Sequence, residues 1–223
     1  FSSSVYLASE AIQRFGTEAQ KSAWLPRLAG GECVATVAMA ERAGPLALGR
    51  LETRRSGSQI SGTKVPVADA SIAEVAVVLA RSEGGLEACL VPLQQAGVSV
   101  EPVLTFDTSR GHSTVTFDAA EAEVLGDTTI NPKNWESLLN GAAVLLAWEQ
   151  LGLAETALIQ ARDYALQRFA FGRAIGSYQA IKHKLANMYV KNTLARSNAY
   201  YGVWALAEGS GELPLAAATA RVA

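Results

Sequence analysis

The sequence predicts an α+β chain in which helices flank a central β-barrel or sandwich and a C-terminal antiparallel helical bundle follows. Three observations carry this expectation: capping and glycine signals near the N-terminal end, short alternating apolar runs in the middle, and a helical pattern from an Asn-Pro step onward. The expected domains are 1–33, the end of an N-terminal helical domain; 34–128, the central β domain; and 129–223, an incomplete C-terminal helical domain.

Residues 5–15 read as a helix closed by Gly16, and Thr17 with Gln20 forms a capping box that opens the next helix. Pro26 and the Gly30-Gly31 pair are expected to close that second helix. From 34 to about 124 the texture changes to strand-length runs such as 75–80 and 86–91, punctuated by Ser56-Gly57, Gly84-Gly85 and Gly97. Asn131-Pro132 then marks a helix start, an N-cap followed by proline in the first turn, where its missing N–H does no harm. One long apolar helix is expected from about Trp135 to Arg168, broken by Gly172 and Gly176. Ser177 is expected to cap the next helix, and Ser210-Gly211 to separate a third.

With 223 residues, 49% of them hydrophobic, the chain can bury a core without a metal or disulfide staple. The net charge of −2, with acids and bases interspersed, offers no footprint for nucleic acid or an anionic membrane. Cys33 and Cys89 stand far apart without CxxC or Cys/His spacing, which points away from zinc and toward a reducing compartment, and the expected location is cytoplasmic. The longest apolar run, 141–148, ends at Glu149 and falls short of the roughly 20 residues a membrane span needs, so no spanning helix is expected. The chain opens on Phe1-Ser2-Ser3-Ser4 without a starting Met or signal pattern and stops inside an Ala-rich helical stretch, so both ends read as cut.

His112, in an expected turn, and His183, on a Lys-rich helix face, have no carboxylate or Cys at catalytic spacing and read as surface residues. Trp24, Trp135, Trp148 and Trp204 read as core or interface anchors. No GxGxxG follows a strand, so no glycine-rich phosphate loop is expected.

Arg168 and Phe171 lie three apart and so share one face at a helix end. Just beyond, Ser177-Tyr178-Gln179 begins the returning helix, whose first amides lack intrahelical partners and can donate to an anion. A guanidinium beside free amides outlines a phosphate site, and a nearby ring can pack on a nucleotide. The same spacing also suits an Arg that satisfies terminal carbonyls and a Phe that fills core. The complete string, Tyr164-x-x-x-Arg168-x-x-Phe171-Gly172-x-x-Ile175-x-x-x-Gln179-x-Ile181-x-x-x-Leu185-Ala186-x-Met188, separates the two readings. It resembles the helix pair with which acyl-CoA dehydrogenases present Arg, Phe and Gln to the flavin dinucleotide of a neighbouring subunit. Two further stretches are similar to the same family: Arg14-Phe15-Gly16-Thr17-Glu18-x-Gln20-Lys21-x-x-Trp24-Leu25-Pro26-x-Leu28-x-x-Gly31-Glu32, and residues 107–117.

The resemblance implies FAD as cofactor, an acyl-CoA thioester as substrate, a 2,3-enoyl thioester as product and electron-transfer flavoprotein as electron acceptor. It implies that Arg168 holds the pyrophosphate and that Phe171 and Gln179 hold the nucleotide of a partner's FAD. The chain departs from the family where its own flavin would sit. Family members carry Val-Thr-Glu-Pro-x-Ala-Gly-Ser-Asp after the first strand, where this chain reads Ala38-Met39-Ala40-Glu41-Arg42-Ala43-Gly44-Pro45-Leu46. The family's Trp-Ile-Thr corresponds to Pro66-Val67-Ala68, and a stretch that often carries an Arg or the catalytic Glu reads Asn140-Gly141-Ala142-Ala143. Glu149, two turns further on, does not stand in for that base and reads as a polar contact between helices. The chain thus offers no visible catalytic base and no metal ligand set. The expected function is a subunit whose own flavin pocket is degenerate and which contributes FAD contacts to a related subunit, as in the heteromeric dehydrogenases that degrade sterol side chains. The alternatives are a self-sufficient homotetramer with a divergent pocket, and a non-catalytic scaffold of the same fold.

Overall fold

Thr17 opens a helix through the capping box that its spacing to Gln20 predicts. Its Oγ1 accepts the Gln20 amide at 3.2 Å, and its own amide donates to Gln20 Oε1 at 3.0 Å. The structure is a computed structural model that describes residues 1–127 and 129–222 and divides into two units, Phe1–Leu138 and Leu139–Ala223. The expected domain limits Thr128 and Ala223 lie outside the described residues.

The first unit begins with a wide helical turn, Ser2–Ser9, that runs into α1 (Glu10–Phe15), where Gly16 ends the helix with its amide on Ile12 O at 2.8 Å. The capping box starts α2 (Glu18–Ala29). Pro26 does not close α2, contrary to expectation, but lies inside its last turn, and its carbonyl accepts the Gly30 amide at 2.9 Å. Gln20 does more than cap. Its Oε1 also accepts the Gly126 amide at 2.9 Å, and its Nε2 donates to Val124 O at 2.8 Å and Glu123 Oε1 at 2.6 Å, which ties α2 to the sheet.

The sheet comprises β1 (Ala35–Ala38), β2 (Arg54–Ser56), β3 (Gln59–Ala68), β4 (Val75–Ser82), β5 (Gly85–Pro92), β6 (Val98–Val103), β7 (His112–Glu121) and β8 (Glu123–Val124). Its order is β6-β7-β3-β2-β4-β5-β8, with β1 parallel to β4 from Ala35↔Val75 to Ala38↔Val78. Residues 75–80 of β4 are all buried, as a continuous apolar run predicts for a strand covered on both faces. Their neighbours Cys89, Val91, Val115 and Phe117 complete the core. Of the expected barrel or sandwich, the barrel does not form: the sheet is open among the described residues, with β6 and β8 at its ends. Pro102 removes a ladder donor from β6, and β8 has only two residues, features of edge strands that do not pair onward.

Asn131 starts α3 (Pro132–Gln167) as its sequence signals, its Oδ1 accepting the Lys133 amide at 3.0 Å. In the second unit α3 is followed by the short strands β9 (Phe169–Ala170) and β10 (Arg173–Ala174), then α4 (Gln179–Ala207) and α5 (Leu213–Val222). Contacts run in opposite senses along α3 and α4, from Val144 beside Gly202, through Trp148 Nε1 donating to Ala199 O at 3.2 Å, to the Glu155–Arg196 ion pair. The two helices are therefore antiparallel. A Cβ at Gly202 would stand 3.1 Å from Val144, so the absence of a side chain there permits the close approach. Ala216 and Ala217 of α5 pack with Val144 and Ala205. Contrary to the expectation of no spanning helix, α3 is long and apolar enough, by length and composition alone, to cross a membrane. Its Val144 and Trp148 have packing partners within this unit, which gives that apolar composition a role in helix association.

Gln20→Ala leaves Val124 O and the Gly126 amide without their partners, and the expected loss is about 2–4 kcal/mol. Thr17→Ala removes only the cap and should cost about 1 kcal/mol. Urea unfolding of the two variants measures the difference.

Candidate functional site

The chain reverses between α3 and α4 through a two-residue turn. Ala170 pairs with Arg173 and Phe169 with Ala174, and both central residues have positive φ, Phe171 at 54° and Gly172 at 79°. Such a turn matches the twist of the flanking strands but asks for left-handed backbone at both positions. Gly172 adopts it freely. Phe171 does so at a cost of about 1–2 kcal/mol, and its ring gains no burial in return, being 97% exposed. A strained backbone that displays a bare aromatic ring is the kind of feature found at ligand sites.

Arg168 and Gln179 are exposed on the same reversal, one after the end of α3 and one at the start of α4. The Arg168 backbone is fixed at both sides, its amide on Tyr164 O and its carbonyl accepting Ile175 N, each at 2.8 Å. Among the described residues its guanidinium has no ion pair or side-chain hydrogen bond, so it is not satisfying the terminal carbonyls of α3. Ser177 does not cap α4, as expected from sequence. Its hydroxyl donates back to Ala174 O at 2.7 Å, and Tyr178 occupies the cap position without a side-chain bond to the helix. The Tyr178 carbonyl accepts the amides of Ile181 and Lys182 at 3.1 Å each, which leaves those of Gln179 and Ala180 ahead of the first intrahelical bonds.

Two tip residues carry contacts that the reading of the sequence missed. Tyr178 Oη donates to Ala170 O at 2.9 Å, and the Arg173 guanidinium carbon lies 4.0 Å from the Tyr178 ring centroid. The available signal was an aromatic residue at a helix cap, a position where Ser, Thr, Asp or Asn is preferred.

The first unit contains a second feature, a cleft of ≈ 420 Å³. Met39, Ala40, Arg42, Ala43 and Gly44 line it together with Pro66 and Ala68, so two of the stretches that depart from the family pattern meet at one place. Three of the polar groups around it bond within the protein. Thr36 Oγ1 donates to Ala68 O at 2.5 Å, Ser3 Oγ to Asp69 Oδ2 at 2.6 Å, and Arg110 donates to Ser2 Oγ at 2.8 Å. His112 is half-buried and lines the cleft, and it does not lie in a surface turn, because β7 begins at that residue. These side chains do not offer the hydroxyl and indole contacts that a flavin ring receives in the family pattern.

Glu41, the acid in this stretch, is committed to the fold. It accepts the amides of Glu52 at 2.6 Å and Thr53 at 2.8 Å, and its Oε1 accepts from Nζ of the fully buried Lys64 at 2.9 Å. Burial alone would raise its carboxyl, but the two amides and the ammonium outweigh burial and hold it at about 2. A carboxylate of that strength is a poor proton acceptor at neutral pH. Burial likewise lowers Lys64 against the pull of Glu41. Cys89 is no nucleophile either, since burial pushes its thiol up to about 12. Among the described residues no three His, Cys, Asp or Glu side chains group as metal ligands.

Residues 1–32 match the family described as "Acyl-CoA dehydrogenase, N-terminal domain", and residues 134–223 match "Acyl-CoA dehydrogenase, C-terminal domain". The chain belongs to the acyl-CoA dehydrogenase family. A probable acyl-CoA dehydrogenase of Bacillus subtilis, YngJ, is 29% identical over 92% of this chain and 58% of its own length. The glutaryl-CoA dehydrogenase of Mycobacterium smegmatis, solved in complex with FADH2, is 28% identical over 96% of this chain and 58% of that one, with a TM-score of 0.85. The ChsE4–ChsE5 complex of Mycobacterium tuberculosis matches at 25% identity over 99% of this chain and 59% of that one, with a TM-score of 0.84. The chain thus spans a little over half the length of these relatives.

The folded carboxyl of Glu41 sits below its ordinary 4.5, so its contribution to stability is complete above that value and is lost as pH falls toward 2. Glu41→Gln should flatten this part of the acid-unfolding curve. Lys64→Met, which leaves the carboxylate buried without its cation, should cost about 3–5 kcal/mol near neutral pH. Denaturant titrations between pH 2 and 7 check both.

Proposed function

We propose that this chain is a subunit of an FAD-dependent acyl-CoA dehydrogenase that forms 2,3-enoyl-CoA from acyl-CoA, and that its α3–α4 tip grips the FAD of a related partner subunit while its own cleft no longer holds a flavin ring. The observation that carries the reading is the tip itself: Arg168 without an internal partner among the described residues, Phe171 strained and bare, and Gln179 exposed beside them. A guanidinium can take pyrophosphate oxygens through two parallel charge-assisted bonds, and the leading amides of α4 favour the same negative charge. Phe171 presents a flat apolar face to a nucleotide ring, and Gln179 can donate and accept at its edge.

Bound flavin supplies the acceptor for the hydride that leaves the β-carbon of the acyl thioester. This chain's residues contribute binding and orientation to that chemistry. The α-proton needs a base, and Glu41 does not supply it. The glutaryl-CoA dehydrogenase bound to FADH2 supports the cofactor assignment, and the two-component ChsE4–ChsE5 complex supports a heteromer. Reoxidation by an electron-transfer flavoprotein and a cytoplasmic location complete the proposal.

The test is to express the chain alone and together with a flavin-bearing relative from the same organism. Flavin absorbance should be absent from the chain alone and present in the co-purified complex. Arg168→Ala should weaken FAD binding by about 10- to 100-fold in that complex, the effect of losing charge-assisted bonds, without lowering the melting temperature of the chain. Unchanged FAD affinity refutes the role of the tip. A flavin-loaded chain purified alone refutes the degenerate cleft.

A further inference from the structure

The tip has to hold a shape that its own hairpin cannot maintain. Two strand pairs, Ala170 with Arg173 and Phe169 with Ala174, make a ribbon far shorter than one that is stable by itself, and Phe171 at its apex resists the left-handed backbone it adopts. Support must therefore come from outside the ribbon. On the α3 side, Gly176 closes on the helix end so tightly that a Cβ there would stand 2.9 Å from Ala165 O. On the α4 side, the support is a side chain. Tyr178 reaches back from the helix cap and donates its phenolic proton to Ala170 O, the carbonyl immediately before the strained turn, at 2.9 Å. Its ring meanwhile carries the Arg173 guanidinium 4.0 Å from its centroid, on the residue immediately after the turn.

We infer that Tyr178 is a positioning residue for the FAD-gripping tip, acting on Ala170 through its hydroxyl and on Arg173 through its ring, and that Arg173 is part of this clamp and not a second phosphate ligand. The inference rests on the reading of the tip given above. Its physical content is preorganisation: one aromatic side chain holds both ends of a two-residue turn, so that Arg168 and Phe171 are ordered before the dinucleotide arrives and their ordering does not have to be supplied by binding. The two tip arginines are thereby separated by role. Arg168 has no internal partner among the described residues, whereas Arg173 already faces a ring at cation–π distance.

Two measurements test this, one without cofactor and one with FAD as the probe. In the full chain alone, Tyr178→Phe keeps the ring and removes only the hydroxyl. Amide hydrogen exchange at residues 169–174 should rise while the melting temperature stays within experimental error. In the co-purified complex, the same variant should weaken FAD binding by about two- to tenfold, as read by flavin fluorescence, the effect of one neutral hydrogen bond. Arg173→Gln should weaken FAD to a similar degree, and Arg173→Lys, which keeps a cation over the ring, should restore most of it. If Tyr178→Phe leaves both exchange and FAD affinity at their original values while Arg168→Ala weakens FAD, the clamp is wrong and the tip assignment stands. If Arg168→Ala also has no effect, both fall together. A loss of FAD affinity on Arg173→Lys as deep as that on Arg168→Ala would make Arg173 a direct phosphate ligand and overturn its place in the clamp.

Discussion

The second unit is organised by a reversal in two residues. Left-handed backbone at Phe171 and Gly172 sends the chain back on itself, and that sets α3 and α4 side by side in opposite directions over their length. Everything along the pair is then constrained to fit: the missing side chain at Gly202 opposite Val144, the Trp148 indole on Ala199 O, and the Glu155–Arg196 pair nearer the tip. A looser connection would allow the helices to splay or slip, and these matched contacts would lose register. The strain at Phe171 is thus tied to the packing of about seventy residues, and the packing is what keeps the strained turn in place.

The first unit solves a different problem with buried polar groups. Gln20 uses its amide for a helix cap and for three sheet-side bonds at once, and Glu41 uses its carboxylate for two amides and a buried lysine. Fully satisfied groups of this kind fix one arrangement of chain segments where apolar contact alone would tolerate several. Glu41 thereby anchors the segment after β1 to β3, next to the cleft, and in doing so is withdrawn from proton chemistry. The one acidic side chain that the sequence offered in this stretch is structural.

Local signals in the sequence were readable where the physics is local. The Thr17–Gln20 spacing and the Asn131-Pro132 step gave helix starts because a cap involves residues only two or three apart. The tip string was readable because its side chains follow one helix end and one helix start. What was not readable depends on distant partners. Whether the sheet closes is decided by which strands meet across the domain, and nothing in β6 or β8 alone reveals it. Gln20 announced its cap but not Val124 and Gly126, more than a hundred residues away. Ser177 had the composition of a cap but lost the position to Tyr178, whose hydroxyl found a better use on Ala170 than any serine could reach. His112 was placed in a turn because the strand that holds it begins at that residue.

The two candidate regions have gone opposite ways, and the contrast bears on assembly. Around the cleft, three polar side chains bond to the chain itself: Thr36 to Ala68, Ser3 to Asp69, Arg110 to Ser2. At the tip, a guanidinium and an aromatic ring are held outward on strained backbone with no partner of their own among the described residues. A ring of identical subunits would need each copy to present a tip and also to receive one beside a working cleft, so loss of the cleft would remove any reason to maintain the tip. The turn serves the packing of the helix pair, but the aromatic ring at its apex does not, since Phe171 is 97% exposed. On the proposed reading, a tip maintained in a chain whose cleft lacks the family pattern's flavin-ring contacts is the combination expected when the recipient of the tip is a different subunit from its donor.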